Sequence, residues 1–263
     1  MKLYIDTCVL PRSSLETAAY YRTCCSPRIG FELLPMFDLP SFEENLRQNM
    51  GLLAEGPLIF HEPVWGVEHT AEDGTAAYEE SMYHLRLTRK YADLLQPTHM
   101  VYHFSNCRIQ ERQKEHMLST SLKNLDRMRS WFPYAVILAE NTGIKKEGTL
   151  LLDQDEFTGL CREFDLTVLI DTGHANANGW DLRKLITDLK DRICGFHLHN
   201  NDGIHDMHAR IHDGTLDFDS LMPFILETVP EAFCVIEYVN PKYHGDPLME
   251  DIRYLQKFEG DGT

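Results

Sequence analysis

The chain has 263 residues, 43% hydrophobic and 25% charged, and carries 41 acidic against 25 basic side chains for a formal net charge of −16. That composition excludes a disordered chain, and the length gives one substantial core while being short for two ordinary domains. The acidic balance counts against nonspecific nucleic-acid binding, and no apolar run approaches the roughly 18 residues that would span a bilayer.

Short apolar runs recur along the chain, at residues 2–6, 29–34, 57–61, 99–104, 135–141, 166–171, 193–199 and 233–239. Each reads as a strand buried on both faces, as in a parallel sheet covered by helices. Between them lie amphipathic stretches at 41–54, 75–95, 110–131, 153–164, 181–190, 217–226 and 247–258. The first opens with Ser41 and has Glu44 three residues later, the spacing of a capping box. Eight strand–helix units in about 250 residues predict an α/β fold, a single (β/α)8 TIM barrel over residues 1–263. A doubly wound sheet would carry a glycine-rich loop after its first strand, and Asp6-Thr-Cys-Val has none. Seven cysteines cannot all pair, and none shows CxxC spacing, so they read as free thiols. Asp6 interrupts the first apolar run too early for a signal peptide. With the thiols, this gives a cytoplasmic expectation.

The strands end in His61, His103, Glu140, Asp171, His199 and Glu237. In a parallel barrel all C-terminal strand ends share one mouth, so these six should converge there. One such residue would be an ordinary rim group; six together, three of them carboxylates, are tolerable with a bound cation. His174 follows Asp171 by three, and Asp206 and His208 follow the strand ending in His199. Five imidazoles and four carboxylates without a cysteine suit zinc or manganese rather than calcium.

The segments LAENTG, LIDTGHANANGWD, HLHNNDGIHDMH and VIEY resemble the xylose isomerase-like TIM-barrel superfamily along nearly the whole chain. That group includes sugar and sugar-phosphate isomerases and epimerases and the type IV AP endonucleases. The resemblance implies a shared metal on Glu140, Asp171, His199 and Glu237. From the endonucleases it further implies roles for His61, His103, His174, Asp206 and His208, so that all nine positions of a trinuclear pattern are filled. It departs where the relatives have a Gly-x-Gly turn and this chain has His212-Asp213-Gly214, and in lacking an obvious basic DNA-contacting insertion.

Other residues are weighed around this set. His197, two before His199, could be a deeper ligand but reads better as a core histidine or one that orients the ligands. Trp65 is a candidate to stack on a sugar face, Asn141 to bind a hydroxyl or orient a ligand, and Arg210 to contact a phosphate. Arg108, Lys145, Lys146 and Lys242 also follow strands, and read equally as a solvated rim. Glu32 reads as a carboxylate satisfied by a neighbour; His205 and His212 read as solvent-facing.

Two reactions follow from the metal count, which the sequence leaves between one and three ions. One divalent ion among Glu140, Asp171, His199 and Glu237 leaves the site anionic, which suits a neutral polyol whose protons Glu140 and Glu237 carry as catalytic groups. The first expectation is therefore a metal-dependent sugar or sugar-phosphate isomerase or epimerase. Three ions against four carboxylates leave it cationic, which suits a phosphoric ester, so the alternative is a multi-zinc hydrolase. A third reading is a non-catalytic sugar-binding barrel that keeps the metal. The expected partner is a small sugar or sugar phosphate, with neither nucleic acid nor membrane; the oligomeric state is left open.

Overall fold

The computed structural model describes residues 1–11, 14–26 and 28–258. Its eight strands are β1 (Leu3–Asp6), β2 (Gly30–Leu33), β3 (Leu58–His61), β4 (His99–Tyr102), β5 (Val136–Glu140), β6 (Val168–Asp171), β7 (Ile193–Leu198) and β8 (Phe233–Ile236). Each pairs in parallel with the next, and β1 pairs with β8, closing the barrel in chain order. Around it run α1 (Ala18–Cys24), α2 (Phe42–Ala54), α3 (Ala76–Leu95), α4 (Lys114–Trp131), α5 (Gln154–Glu163), α6 (Thr172–Ala177), α7 (Leu182–Leu189), α8 (Phe218–Thr228) and α9 (Asp246–Gln256). This is the (β/α)8 barrel that the alternation of elements predicts.

The period of two along each strand sorts the residues. Outward positions such as Ile5, Phe31, Phe60, Tyr102, Ile170, Phe196 and Ile236 join the helices in the main apolar core. Inward positions low in the barrel form a separate apolar cluster of Tyr4, Ile59, Val101, Leu138, Leu169, Phe233 and Val235. Gly195 makes room for it, since a Cβ there would stand 2.3 Å from the Phe233 ring. Two residues further along, the inward positions turn ionisable: Asp6, Glu32, His61, His103, Glu140, Asp171, His197 and Glu237 are all buried. The interior is thus an apolar floor under a polar mouth.

The helices follow their local signals. In α7 the buried residues Leu182, Leu185, Ile186 and Leu189 recur at helical spacing, and Asp181 caps its first turn by accepting from the Lys184 N–H at 2.9 Å. The capping box expected at Ser41 does not form. Ser41 is itself in helical conformation with no side-chain cap, and Glu44 instead accepts from Gln48 at 2.8 Å. A capping box forms instead between Asp153 and Glu156, at the start of α5. The short helices α1 and α6 are additions to the predicted set. In α6, Asp171 is the cap, accepting from the His174 N–H at 2.5 Å, so one strand-end carboxylate both ends β6 and starts the turn bearing His174.

Candidate metal centre

All nine candidate ligands converge on the C-terminal mouth, and they fall into overlapping groups. His61, His103 and Glu140 form one; Asp171, His199 and Glu237 a second; His174, His199, Asp206 and His208 a third. Glu140, Asp171 and His174 tie the groups together. Within each group the donor atoms lie within 4.8 Å of one another.

In the first group, Glu140 Oε2 stands 3.0 Å from His103 Nε2 and 3.6 Å from His61 Nε2. The other ring nitrogens are already used. His61 Nδ1 donates to the Glu62 carbonyl at 2.7 Å, and His103 Nδ1 meets Asn106 Oδ1 at 2.7 Å. Asn106 presents its oxygen because its amide nitrogen donates to the Val67 carbonyl, at 3.0 Å, and to Glu62, at 3.3 Å. Glu62 in turn is paired with His69 at 2.7 Å, both fully buried. These partners fix the two imidazoles with Nε2 turned to the site, which is how a metal-binding histidine is ordinarily held.

In the second group, His199 Nε2 lies 2.9 Å from Asp171 Oδ2 and 4.0 Å from Glu237 Oε2. Gly173 passes directly over the His199 ring; a Cβ there would come within 2.0 Å of it. In the third, Asp206 stands 3.3 Å from His174 Nε2 and 3.1 Å from His208 Nε2. His208 stacks on His199 with centroids 3.9 Å apart, and holds a φ of 42°, a left-handed conformation that costs a side chain energy.

The same ring of inward positions also holds His197, Glu32 and Asp6, and Glu32, His61, His197 and Glu237 form a further buried group. His197 Nε2 is 3.0 Å from Glu32 Oε1, and its Nδ1 is 3.2 Å from Glu237 and 3.6 Å from Glu140. Asp6 lies against Glu32. Burial and then the Glu32 charge push its carboxyl well above the usual range. The period-two alternation that exposes His61 to the interior also places Asp6 and Glu32 there, and could have found them.

The electrostatics are those of ligands held together by protons. Burial opposes charge on Glu140, yet the His103 and His197 imidazoles hold its carboxyl well below the ordinary range; His208 and His174 do the same for buried Asp206. Against burial, the nearby Glu140 carboxylate and the Glu32 charge raise His61 to about 10, and Asp206 and Glu237 raise His208 to about 9. Even so, His61 Nε2, Glu140 Oε1, His174 Nδ1, His199 Nδ1, Asp206 Oδ1 and Glu237 Oε2 are buried without a hydrogen-bond partner. Buried polar atoms left so are costly. Nitrogen and carboxylate donors with spare lone pairs, in groups of three and four, fit divalent cations such as zinc or manganese.

A cavity of about 460 Å³ opens over this centre, lined by ligand side chains and by Trp65, Val64, Ile144 and Val239. Trp65 is 43% exposed at its rim. Asn141 is not free to meet a ligand at either end: its amide donates to the Asp171 carbonyl at 3.0 Å and its oxygen accepts from the Asp171 N–H at 2.8 Å, so it sets the end of β6. Arg210 is absent from the lining and engages Asp251 through two bonds of 2.8 Å, with Glu250 at 2.9 Å. That pairing, rather than a phosphate contact, explains it. Lys146 reaches His205, which pairs with Asp202 at 2.7 Å, while His212 packs edge-on against Tyr254. No lysine or arginine occurs among the described residues lining the cavity.

An eight-stranded barrel whose mouth gathers nine such residues defines a class in which the floor is structural and the chemistry sits on the loops. The chain belongs to the xylose isomerase-like TIM barrel family, whose pattern matches residues 30–258. None of the curated proteins gives a significant match. Among solved structures, a D-tagatose 3-epimerase-like protein superposes with a TM-score of 0.77 at 19% identity, over 98% of this chain and 97% of that one. The IOLI protein, solved with a binding zinc atom, gives 0.73 at 17% identity over 99% and 97%. Endonuclease IV from Thermus thermophilus gives 0.64 at 21% identity over 98% of both chains. At these identities the likeness is one of fold, and the neighbours include both sugar epimerases and an endonuclease.

Proposed function

We propose that this protein hydrolyses small phosphoric esters, with two or three divalent ions held at its mouth. The observation that carries this reading is the placement of Glu140. Its Oε2 faces His103 and His61 at 3.0 and 3.6 Å, while its Oε1 faces His174 at 3.2 Å. A carboxylate that offers its two oxygens to two separate ligand groups suits a centre of more than one ion.

His61, His103 and Glu140 would hold one ion, Asp171, His199 and Glu237 with Glu140 a second, and His174, Asp206 and His208 a third. Divalent ions there would supply the positive charge that a phosphoryl group needs, which the cavity's side chains do not. Overall, a water oxygen joins phosphorus, the bond to the ester oxygen breaks, and the alcohol leaves with a proton. Asn106 and the Glu62 carbonyl orient the histidines, Asn141 fixes Asp171, and Trp65 with Val239 walls the cavity. The net charge of −16 gives duplex DNA no long-range attraction, so a pocket-sized ester fits the molecule better. No helix among the described residues is long and apolar enough to cross a membrane.

One observation favours the isomerase or epimerase reading as the second. Glu140 and Glu237 both approach His197 Nδ1, at 3.6 and 3.2 Å, so the two carboxylates stand close together, as a pair that moves a carbon-bound proton needs to. Elemental analysis of protein purified without added metal separates the two, alongside assays for phosphate release and for solvent deuterium entering sugar carbons. Two to three equivalents with phosphate release support the hydrolase. One equivalent with deuterium exchange and no phosphate release would replace it with the isomerase.

A further inference from the structure

The cavity has two chemistries, and the metal centre uses only one. Its polar lining is made by the ligand side chains together with Ser105, Asn106, Thr142, Glu147 and Thr149, but Trp65, Val64, Ile144 and Val239 line it too. Trp65 and Val239 remain 43% and 41% exposed. Ile204 and Met207, 45% and 51% exposed, lie in the loop that carries Asp206 and His208. Among the described residues, the other large hydrophobic side chains this open lie on helices, at a helix end or at the start of β5, so the mouth is where exposed apolar surface gathers on loops. Apolar surface concentrated beside a concave polar site marks the place of a ligand's apolar part.

We infer that the substrate carries a planar aromatic group, seated against Trp65 and Val239, while its phosphate end meets the ligand groups. This rests on the hydrolase reading and adds the substrate class to it. Three features of the site argue for it. The described lining offers a phosphate no lysine or arginine, so the anionic end belongs at the ligand groups and the apolar wall is left for another part of the molecule. A volume of about 460 Å³ has room for more than a sugar phosphate, lying in the range that takes ligands of nucleotide size. An indole at the rim presents a flat face of low conformational entropy, which stacks on any planar ring. A nucleobase and a simple aryl ring both supply that chemistry.

The test uses the full zinc-loaded chain with three esters: adenosine 5′-monophosphate, phenyl phosphate and ribose 5-phosphate. At least one aromatic ester should exceed ribose 5-phosphate by about tenfold in kcat/KM, through KM, the size expected of one good stacking contact. Trp65→Ala should bring that ratio most of the way to one. Preference for the nucleotide identifies a base as the ring, and preference for phenyl phosphate identifies an aryl group. Ribose 5-phosphate turned over as well as the aromatic esters, or a ratio that Trp65→Ala leaves unchanged, overturns the inference. If no ester releases phosphate, the hydrolase reading fails by itself. Equilibrium binding of the same compounds then decides the inference: a preference for the aromatic ligand that is lost in Trp65→Ala upholds it, and equal binding rejects it.

Discussion

The two ends of the barrel interior are built on the same strands and differ by one step of the pleat. At the floor, Ile59, Leu138 and Leu169 pack into an apolar cluster; two residues on, the same strands present His61, Glu140 and Asp171. The floor has side chains that satisfy one another by contact. The mouth has buried donors and acceptors that do not, with six candidate ligand atoms lacking any hydrogen-bond partner. The difference separates what folding needs from what chemistry needs, since polar groups buried that way are kept at a cost that packing alone would remove.

The comparison is broken most severely at Glu140, which belongs to two ligand groups. Glu140→Ala should lower bound metal by at least one equivalent and reduce turnover to background, because both groups lose a shared member. Near-normal activity in that variant would show that the groups do not act as one centre. At the floor, Phe233→Ala should do the opposite. It removes a ring packed on Tyr4, with centroids 5.2 Å apart, and should cost about 3–5 kcal/mol of stability. Metal content per folded chain should stay unchanged, as urea unfolding paired with elemental analysis would reveal; a loss of metal in folded Phe233→Ala would mean that floor and mouth are not separable.

A finer cut lies within the mouth. His174→Ala leaves Asp206 and His208 as the unshared members of the third group, and two protein ligands rarely hold zinc tightly. Metal content should fall by about one equivalent while the other two groups keep theirs. An unchanged metal content would make His174 a substrate contact and return the balance to a single-ion site.

Much of this division was legible in the sequence because strand ends are legible. Strands buried on both faces read as apolar runs, and a histidine or carboxylate closing such a run has only the mouth to face. His61, Glu140 and Asp171 are the last residues of their strands, and His103, His199 and Glu237 stand one beyond. Glu32 is the carboxylate satisfied by a neighbour that the sequence suggests, paired with His197, while Asp6, which belongs to no motif, is placed beside it only by the alternation. The Glu62–His69 pair and Asn106 escaped because their partners are set by loop geometry. Nor does the position of Arg210 after β7 reveal that Asp251, in α9, will meet it. Ser41 shows the limit of spacing rules, since the residue entered the helix instead of capping it.

The smallest expected effect is the exchange of protons for metal, and it follows from the charges at the mouth. In metal-free protein His61 is raised to about 10 and His208 to about 9, so both are protonated at neutral pH. A histidine whose folded pKa lies above its unfolded value of about 6.5 stabilises fully below 6.5 and progressively less as pH rises through the folded value. The carboxylates Glu140 and Asp206, held low, stabilise above their unfolded values of about 4 and lose that contribution in acid. Metal-free protein should therefore be most stable between about pH 4.5 and 6.5 and should lose melting temperature from there to pH 10. Against burial, Asp171 and Asp206 also hold His174 well above the ordinary range, and zinc needs all these nitrogens deprotonated, so loading the three groups at pH 7 should release about three protons, from His61, His174 and His208. Calorimetric zinc titrations in buffers of different ionisation enthalpy count those protons directly, and EDTA-treated protein melted across the range gives the stability profile. A zinc titration that releases none, or a metal-free melting temperature that holds constant from pH 7 to 10, would mean that protons are not what the ions replace.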